Sequence, residues 1–297
     1  MEKEFKSGFV SIIGRPNVGK STLLNSLVGT KVAIMSDKPQ TTRNKIRGIL
    51  STEDYQIIFI DTPGIHKPRH KLGEYMVASA VNSLEEVDLI LFMVDVSEEI
   101  GPGDEYIINI LKKVSTPVFL VINKIDLVKK TKIMEKIISL TSKFDFAEVV
   151  PVSAATRENL ETLLKLIVQY MPQGPKYYPD DMVTDNPERF IIEEIIREKV
   201  LKTTRDEVPH SVAVQVEELN NKEDLTYIRA TIYTEKDSQK GIIIGSKGQK
   251  LKEIGREARL EIENLFGNKV YLDLWVKVKK DWRKKEGALH QFGYYLD

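Results

Sequence analysis

Cysteine is absent from the chain, which excludes disulfides and thiolate metal sites. Histidine is nearly as scarce: four scattered residues make a zinc centre a poor expectation. Neither sign of charge prevails. Lys and Arg total 44 and Asp and Glu total 44, so no global field draws the chain to nucleic acid or a membrane, and only local charge can. Long apolar runs are missing as well. The longest, Leu89 to Val94, falls far short of the ~20 residues that span a bilayer. Met1 to Lys6 is charged and lacks the apolar core of a secretory signal, so a soluble, cytoplasmic protein is expected. There are no internal repeats or low-complexity tracts. What remains is 297 residues with 41% hydrophobic content, enough for two packed domains.

The strongest local pattern is Gly14-Arg15-Pro16-Asn17-Val18-Gly19-Lys20-Ser21, which fits G-x-x-x-x-G-K-[ST]. A short apolar strand, Gly8 to Ile13, precedes it, and a helix opening at Thr22 follows. That context is what a phosphate-cradling loop requires. Its glycines let backbone N–H groups turn inward, and the helix N-terminus adds its positive dipole end. Lys20 would reach the β- and γ-phosphates, and the Ser21 hydroxyl would take one place on Mg²⁺. Residues 36–44 are polar and aperiodic and read as a mobile connection. A strand from Tyr55 to Ile60 then delivers Asp61-Thr62-Pro63-Gly64. A carboxylate at that strand end suits the Mg²⁺ shell, and the Gly64 N–H could approach a γ-phosphate unobstructed.

Two more strands, Val87–Asp95 and Pro117–Ile122, are continuously apolar, as in parallel sheets, and Glu148–Val152 is shorter. Strands alternating with helices, with polar chemistry at strand C-terminal ends, predict an α/β, doubly wound sheet. The strand ends also select the base. Asn123-Lys124-Ile125-Asp126 places a carboxylate, Asp126, that can accept from the two N–H donors of guanine, a pair adenine lacks. Asn123 can bond the opposite edge and tie the loops together, the Lys124 stem can cover the ring, and the Ala154 N–H of Ser153-Ala154-Ala155 can donate to the guanine carbonyl.

With these motifs in this order, the chain resembles a translation-factor-class GTPase. The phosphate loop, Gln40-Thr41-Thr42-Arg43 and Asp61-Thr62-Pro63-Gly64 are similar to the Era family. The resemblance implies GTP or GDP as ligand, Mg²⁺ on Ser21, Thr42 and Asp61, and Lys20, Thr42, Gly64 and Asn17 as catalytic residues. Thr41 is the alternative to Thr42. Ras-like enzymes place a water-orienting Gln after Asp-x-x-Gly, whereas this chain has Ile65, which cannot orient a nucleophile. His66 sits one residue too late and reads as a solvated loop residue. Asn17 occupies the position at which potassium-activated GTPases carry an asparagine, so K⁺ is a further possible cofactor.

Met171 to Asp181 has three prolines and a glycine and no periodicity, a semi-rigid linker. The expected division is a nucleotide domain over 1–172, a linker over 173–185 and a smaller α+β domain over 186–297. The second domain reads helix, strand, strand, helix, helix, strand, with Gly245-Ser246-Lys247-Gly248 joining two helices. In that element order the loop resembles a KH domain of type II arrangement, in which G-x-x-G clamps about four nucleotides of single-stranded nucleic acid. Local charge agrees. Residues 180–235 carry 7 basic against 14 acidic residues, and residues 236–285 carry 14 against 7. Candidate RNA contacts are Gly245, Ser246, Lys247, Gly248, Lys250 and Arg256. One face of the last long helix is assigned Leu251, Ile254, Ala258, Ile262 and Leu265. Trp275 reads as core, and Trp282 as either a packing anchor or a base-stacking platform.

By resemblance the partner is the 3′ end of small-subunit ribosomal RNA, and the setting is maturation of the small ribosomal subunit. Peripheral membrane association is implied only by the family, and a monomer is favoured. Two other readings stay open: a nucleotide kinase, disfavoured by Asn123 to Asp126, and a GTPase whose second domain binds protein, disfavoured by the intact Gly245 to Gly248.

Overall fold

The computed structural model describes residues 4–206 and 208–296. Its first part alternates strand and helix: β1 (Lys6–Gly14), α1 (Lys20–Val28), β2 (Ile46–Ser51), β3 (Tyr55–Asp61), α2 (Lys71–Asn82), β4 (Leu89–Asp95), α3 (Pro102–Leu111), β5 (Val118–Asn123), α4 (Lys130–Thr141), β6 (Glu148–Pro151) and α5 (Leu160–Tyr170). Every residue of β4 and of β5 is buried, as the apolar runs require of strands covered on both faces. The sheet order is β2-β3-β1-β4-β5-β6, and β2 alone runs antiparallel to its neighbour. The strand order reverses at β1, and such a point opens the crevice in which doubly wound sheets bind ligands. The phosphate-loop pattern lies at this point.

Alternate residues of the strands feed two cores. Val10, Ile12, Leu23, Phe59 and Leu91 pack on one face of the sheet; Ile13, Ile65, Phe92, Ile108 and Leu120 pack on the other. Helix α4 has no counterpart in the sequence reading, which passes from Asp126 to Glu148 without an element. Its Ile133, Ile137 and Leu140 do recur at helical spacing and pack on the second core. Met134 and Ile138, 55% and 65% exposed, add apolar residues on the opposite face and blur that period.

The proline-rich connection is strapped to the first sheet. The Ser7 N–H donates to Pro172 O and the Ile49 N–H to Val183 O. Between those points the Gln56 side chain accepts from the N–H groups of both Tyr177 and Tyr178.

Then come α6 (Glu188–Thr203), α7 (Val208–Ser211), β7 (Ala213–Asn221), β8 (Leu225–Thr234), α8 (Asp237–Ile244), α9 (Gln249–Phe266), β9 (Lys269–Val278) and α10 (Glu286–Gln291). The second sheet is β7-β8-β9, with β7 antiparallel and β9 parallel to β8. Ile192 and Ile196 of α6 and Ile254, Ala258 and Ile262 of α9 pack on Val214, Ile228 and Val276 of the sheet. Two expectations fail here. Leu265 is 46% exposed and faces a groove that it shares with Val32, Ile34 and Ile191, whereas Phe266 beside it packs on the sheet core. Trp275 is 54% exposed. Strand alternation aims it away from the face that α6 and α9 cover, while Val276 beside it turns inward.

Trp282 is the packing anchor of its two readings. It is fully buried, its Nε1–H donates to Ser211 O at 2.8 Å, and its ring meets Phe292 edge-on at 5.3 Å. Around it, Leu289 and Tyr294 join Leu72 and Met76 of α2, so the C-terminal segment closes the seam between the two parts of the chain.

Candidate functional site

A cavity of about 690 Å³ lies beside the phosphate loop, with Pro16, Lys20 and Ser21 on one side and residues 34–37 and 40–42 on the other. Lys20 is buried, and its Nζ donates to Arg15 O at 2.9 Å and Gly14 O at 3.4 Å. Burial pulls its ammonium down to about 8, an effect that the Asp61 carboxylate partly offsets. A phosphate anion would reverse that penalty.

Ser21, Thr42 and Asp61 converge. The Ser21 Oγ donates to Asp61 Oδ2 at 2.6 Å and lies 2.9 Å from Thr42 Oγ1, which itself reaches Asp61 Oδ2 at 3.2 Å. The other carboxylate oxygen, Asp61 Oδ1, is buried without a hydrogen-bond partner. Burial raises the Asp61 carboxyl above its usual range, and Lys20 and the two hydroxyls work against that rise. Two hydroxyls and a carboxylate, one of whose oxygens is unsatisfied, form a hard, all-oxygen donor set of the kind Mg²⁺ takes. Among the described residues no cluster of three His, Cys, Asp or Glu could cage a metal, so a divalent ion here would also need phosphate oxygens. Thr41 turns away, its hydroxyl donating to Lys38 O at 2.6 Å.

The segment after β3 is fixed to the loop. Thr62 Oγ1 donates to Ile12 O at 2.8 Å, and the Ile65 N–H to Gly14 O at 3.0 Å. Pro63 is buried, and Gly64 packs so tightly that a Cβ there would stand 2.6 Å from Pro16 N. Ile65 points into the core and is fully buried. His66 departs from the solvated reading. It is half-buried, with Nδ1 3.0 Å from Gly64 O and Nε2 2.9 Å from Gln40 Nε2, so it links the two segments that border the cavity.

Asn123 ties the loops as its position implies: Nδ2 donates to Val18 O at 2.8 Å. Its Oδ1 accepts the Ala154 N–H at 2.9 Å, so a guanine carbonyl would share that donor or meet the next N–H, of Ala155. Lys124 Nζ pairs with Asp95 and donates to Asn17 O at 3.0 Å, which lays its stem across the loop. Asp126 is exposed in the turn after β5, and Ser153 is buried at the end of β6. The Ile125 N–H donates to Val152 O and holds the turn against that strand. Asn17 donates from Nδ2 to Asp37 O at 3.0 Å. Thr22 borders the cavity, and the Val18 side chain packs in the core. The Arg15 side chain instead pairs with Glu98 and Asp104.

The second candidate site is the turn between α8 and α9. Gly245 stands at φ 71°, where a side chain would be strained, and a Cβ would meet the Lys250 Cβ at 2.8 Å. Ser246 and Lys247 are exposed at the tip, Gly248 and Lys250 are half-buried, and Arg256 is exposed on α9. Among the described residues no carboxylate pairs with Lys247, Lys250, Lys252 or Arg256, whereas Arg259 is paired with Glu263. The basic tail is partly structural: Arg283 pairs with Glu235 and Lys279 with Gln291.

Two residues escaped the sequence reading. Arg43, next to Thr42, is 1% exposed and donates to Val212 O at 2.6 Å and to Pro209 O and His210 O at 3.3 Å, with its guanidinium 5.7 Å from the Trp282 ring. Lys202 of α6 borders the nucleotide cavity itself. The partners of Arg43 and the cavity residues beside Lys202 lie far away in sequence, so no local pattern could reveal either role.

A family of GTPase domains, described as 50S ribosome-binding GTPase, matches residues 9–124, and the KH domain family matches residues 207–283. Aquifex aeolicus Era, in a point variant bound to GDP and aluminium fluoride, is 46% identical, with 98% of this chain and 100% of that one covered and a TM-score of 0.95. The chain belongs to the Era family of GTPases. A second Era structure, in complex with MgGDPNP and nucleotides 1506–1542 of 16S ribosomal RNA, matches with the same identity, coverage and TM-score. The match to Era runs through both sites, so Asp126 and Ala154, beyond the GTPase-family segment, fall inside it along with Gly245 to Gly248.

Proposed function

We propose that the chain is a GTP-hydrolysing switch that uses Mg²⁺, binds the 3′-end region of small-subunit ribosomal RNA and acts in assembly of the small subunit. The observation that carries this reading is the convergence of Ser21, Thr42 and Asp61 at a cavity bordered by the phosphate loop. The ligands of the Era relatives, GDP, MgGDPNP and a 16S RNA fragment, support it. The GTPase-family description names the 50S particle, but it covers 116 residues, whereas the relative holding 16S RNA aligns over nearly the whole chain and carries the greater weight.

In this proposal the backbone N–H groups of residues 17–21 and the Lys20 ammonium bind the β- and γ-phosphates. Ser21 and Thr42 would ligate Mg²⁺, and Asp61 would hold it in place. The bound ion supplies neutralisation of charge developing on the transferred phosphoryl group. The Gly64 N–H faces the γ-phosphate, and Asn123, Asp126 and Ala154 read the guanine. Asn17 holds K⁺ beside the phosphates, a role that equal turnover in KCl and NaCl would remove. The nucleotide domain covers 1–172, the linker 173–185 and the RNA-binding domain 186–297. The protein works as a cytoplasmic monomer.

Guanine recognition is tested by nucleotide competition. The parent should prefer GTP to ATP by orders of magnitude, and Asp126→Asn should shift preference to xanthosine triphosphate, whose carbonyl meets the amide donor. Equal binding of ATP and GTP by the parent would refute the assignment.

A further inference from the structure

The nucleotide cavity has walls from both parts of the chain. Met35, Ser36 and Asp37 form its outer rim, and Lys202, from the last turn of α6 in the second part, stands among them. The link between rim and helix is Glu198. Its Oε1 accepts the Met35 N–H at 3.2 Å and lies 3.4 Å from Lys202 Nζ. Its Oε2 lies 2.7 Å from Lys31 Nζ and 3.2 Å from Lys199 Nζ. Glu261 completes the group by pairing with Lys31 and Lys199.

Three ammonium groups therefore share two carboxylates. Among the described residues, Lys31 and Lys199 each contact both glutamates, while Lys202 contacts Glu198 alone and at the longest distance of the set. The surplus positive charge thus falls on Lys202, which is half exposed and faces the cavity. A buried carboxylate holding a cation against a cavity wall is an arrangement that a polyanion completes, because the added negative charge balances the cluster.

We propose that Lys202 is a nucleotide-binding residue, contributing a cationic contact from the second domain to the phosphates of the guanine nucleotide. The inference rests on the functional reading above and deepens it: the nucleotide is held by both domains. The contact is also a physical route for linkage. Whatever moves α6 relative to residues 34–37 changes nucleotide affinity, and by reciprocity nucleotide binding biases the position of α6.

The test measures the affinity of the full-length chain for GDP and for a non-hydrolysable GTP analogue, with Mg²⁺, across a NaCl series. The variants are Lys202→Gln and Lys202→Arg. At low salt Lys202→Gln should weaken both ligands about three- to fivefold, the upper range of one charge contact at a half-exposed site, and Lys202→Arg should restore the parent value. At ~1 M NaCl, where screening acts within about 3 Å, parent and Lys202→Gln should converge to within twofold. Unchanged affinity at low salt would overturn the proposal. So would a loss that persists undiminished at high salt, the mark of a residue that only props up the domain arrangement. A parent that binds no guanine nucleotide at all would instead refute the broader functional reading.

Discussion

Thr42 joins nucleotide chemistry to the rest of the molecule. Its hydroxyl contacts Ser21 and Asp61, and its neighbour Arg43 is sunk into the second domain. On the proposed reading, in which that hydroxyl holds Mg²⁺, removing it would leave the ion one partner short and loosen residues 36–45 together. Thr42→Ala should therefore raise the Mg²⁺ needed for half-maximal GTP turnover at least tenfold and lower the maximal rate by roughly 10–100-fold, the scale of a lost charge-stabilising contact. Thr41→Ala, which loses only a bond to Lys38 O, should stay within about twofold of the parent. Equal losses in the two variants, read by phosphate release against Mg²⁺ concentration, would contradict the assignment. From sequence the two threonines could not be separated, since both are hydroxyls in one polar stretch. The partners that separate them, Asp61 and Lys38 O, become visible only when the chain is folded. Arg43 was hidden for the same reason, whereas the place of Lys20 on the cavity was legible because its motif is local.

At the scale of elements, α6 carries the second domain's attachment. Glu193 fixes it to β7 by accepting the Val216 N–H at 2.8 Å. Burial raises its carboxyl from 4.5 to about 7, with the Val216 bond acting in the opposite direction. A carboxyl raised in the folded state contributes stability that is fully present below about pH 4.5 and is lost as pH rises through about 7. Across that window the loss reaches about 3 kcal/mol at most. Glu193→Gln keeps an acceptor for Val216 but cannot ionise. Its thermal midpoint should match the parent near pH 4.5 and exceed it by several degrees at pH 8. A gap constant with pH, measured by thermal melts in a buffer series, would show that Glu193 ionises without penalty.

Elements were legible wherever one face alone is apolar or a strand is wholly buried, as in β4, β5 and β8. Helix α4 was lost because Met134 and Ile138 put apolar residues on its exposed face. Trp275 was misplaced because the alternation of β9 does not say which face the helices cover. Trp282 needed its long-range partners, Ser211 O and Phe292, before its role was decided.

For the whole molecule, the two domains are joined at the nucleotide response itself. Arg43 and Thr41 O meet the second domain through Val212 O and Arg197, and the Met35 N–H meets it through Glu198. Ordering of residues 36–45 around a γ-phosphate would therefore act directly on the domain that carries Gly245 to Gly248. A coupling of this kind can act on RNA only through a difference in contacts between nucleotide states. The measurement that tests the account most directly is equilibrium binding of the full-length protein, with Mg²⁺ and a non-hydrolysable GTP analogue, to an RNA of the small-subunit 3′ end and to a shuffled RNA of equal length. The account predicts at least tenfold tighter binding of the authentic sequence and an affinity that falls as salt rises. It also predicts loss of both properties in Ser246→Asp/Lys247→Asp, with GDP affinity unchanged. Equal affinity for the two RNAs, or full RNA binding by the double variant, would contradict it.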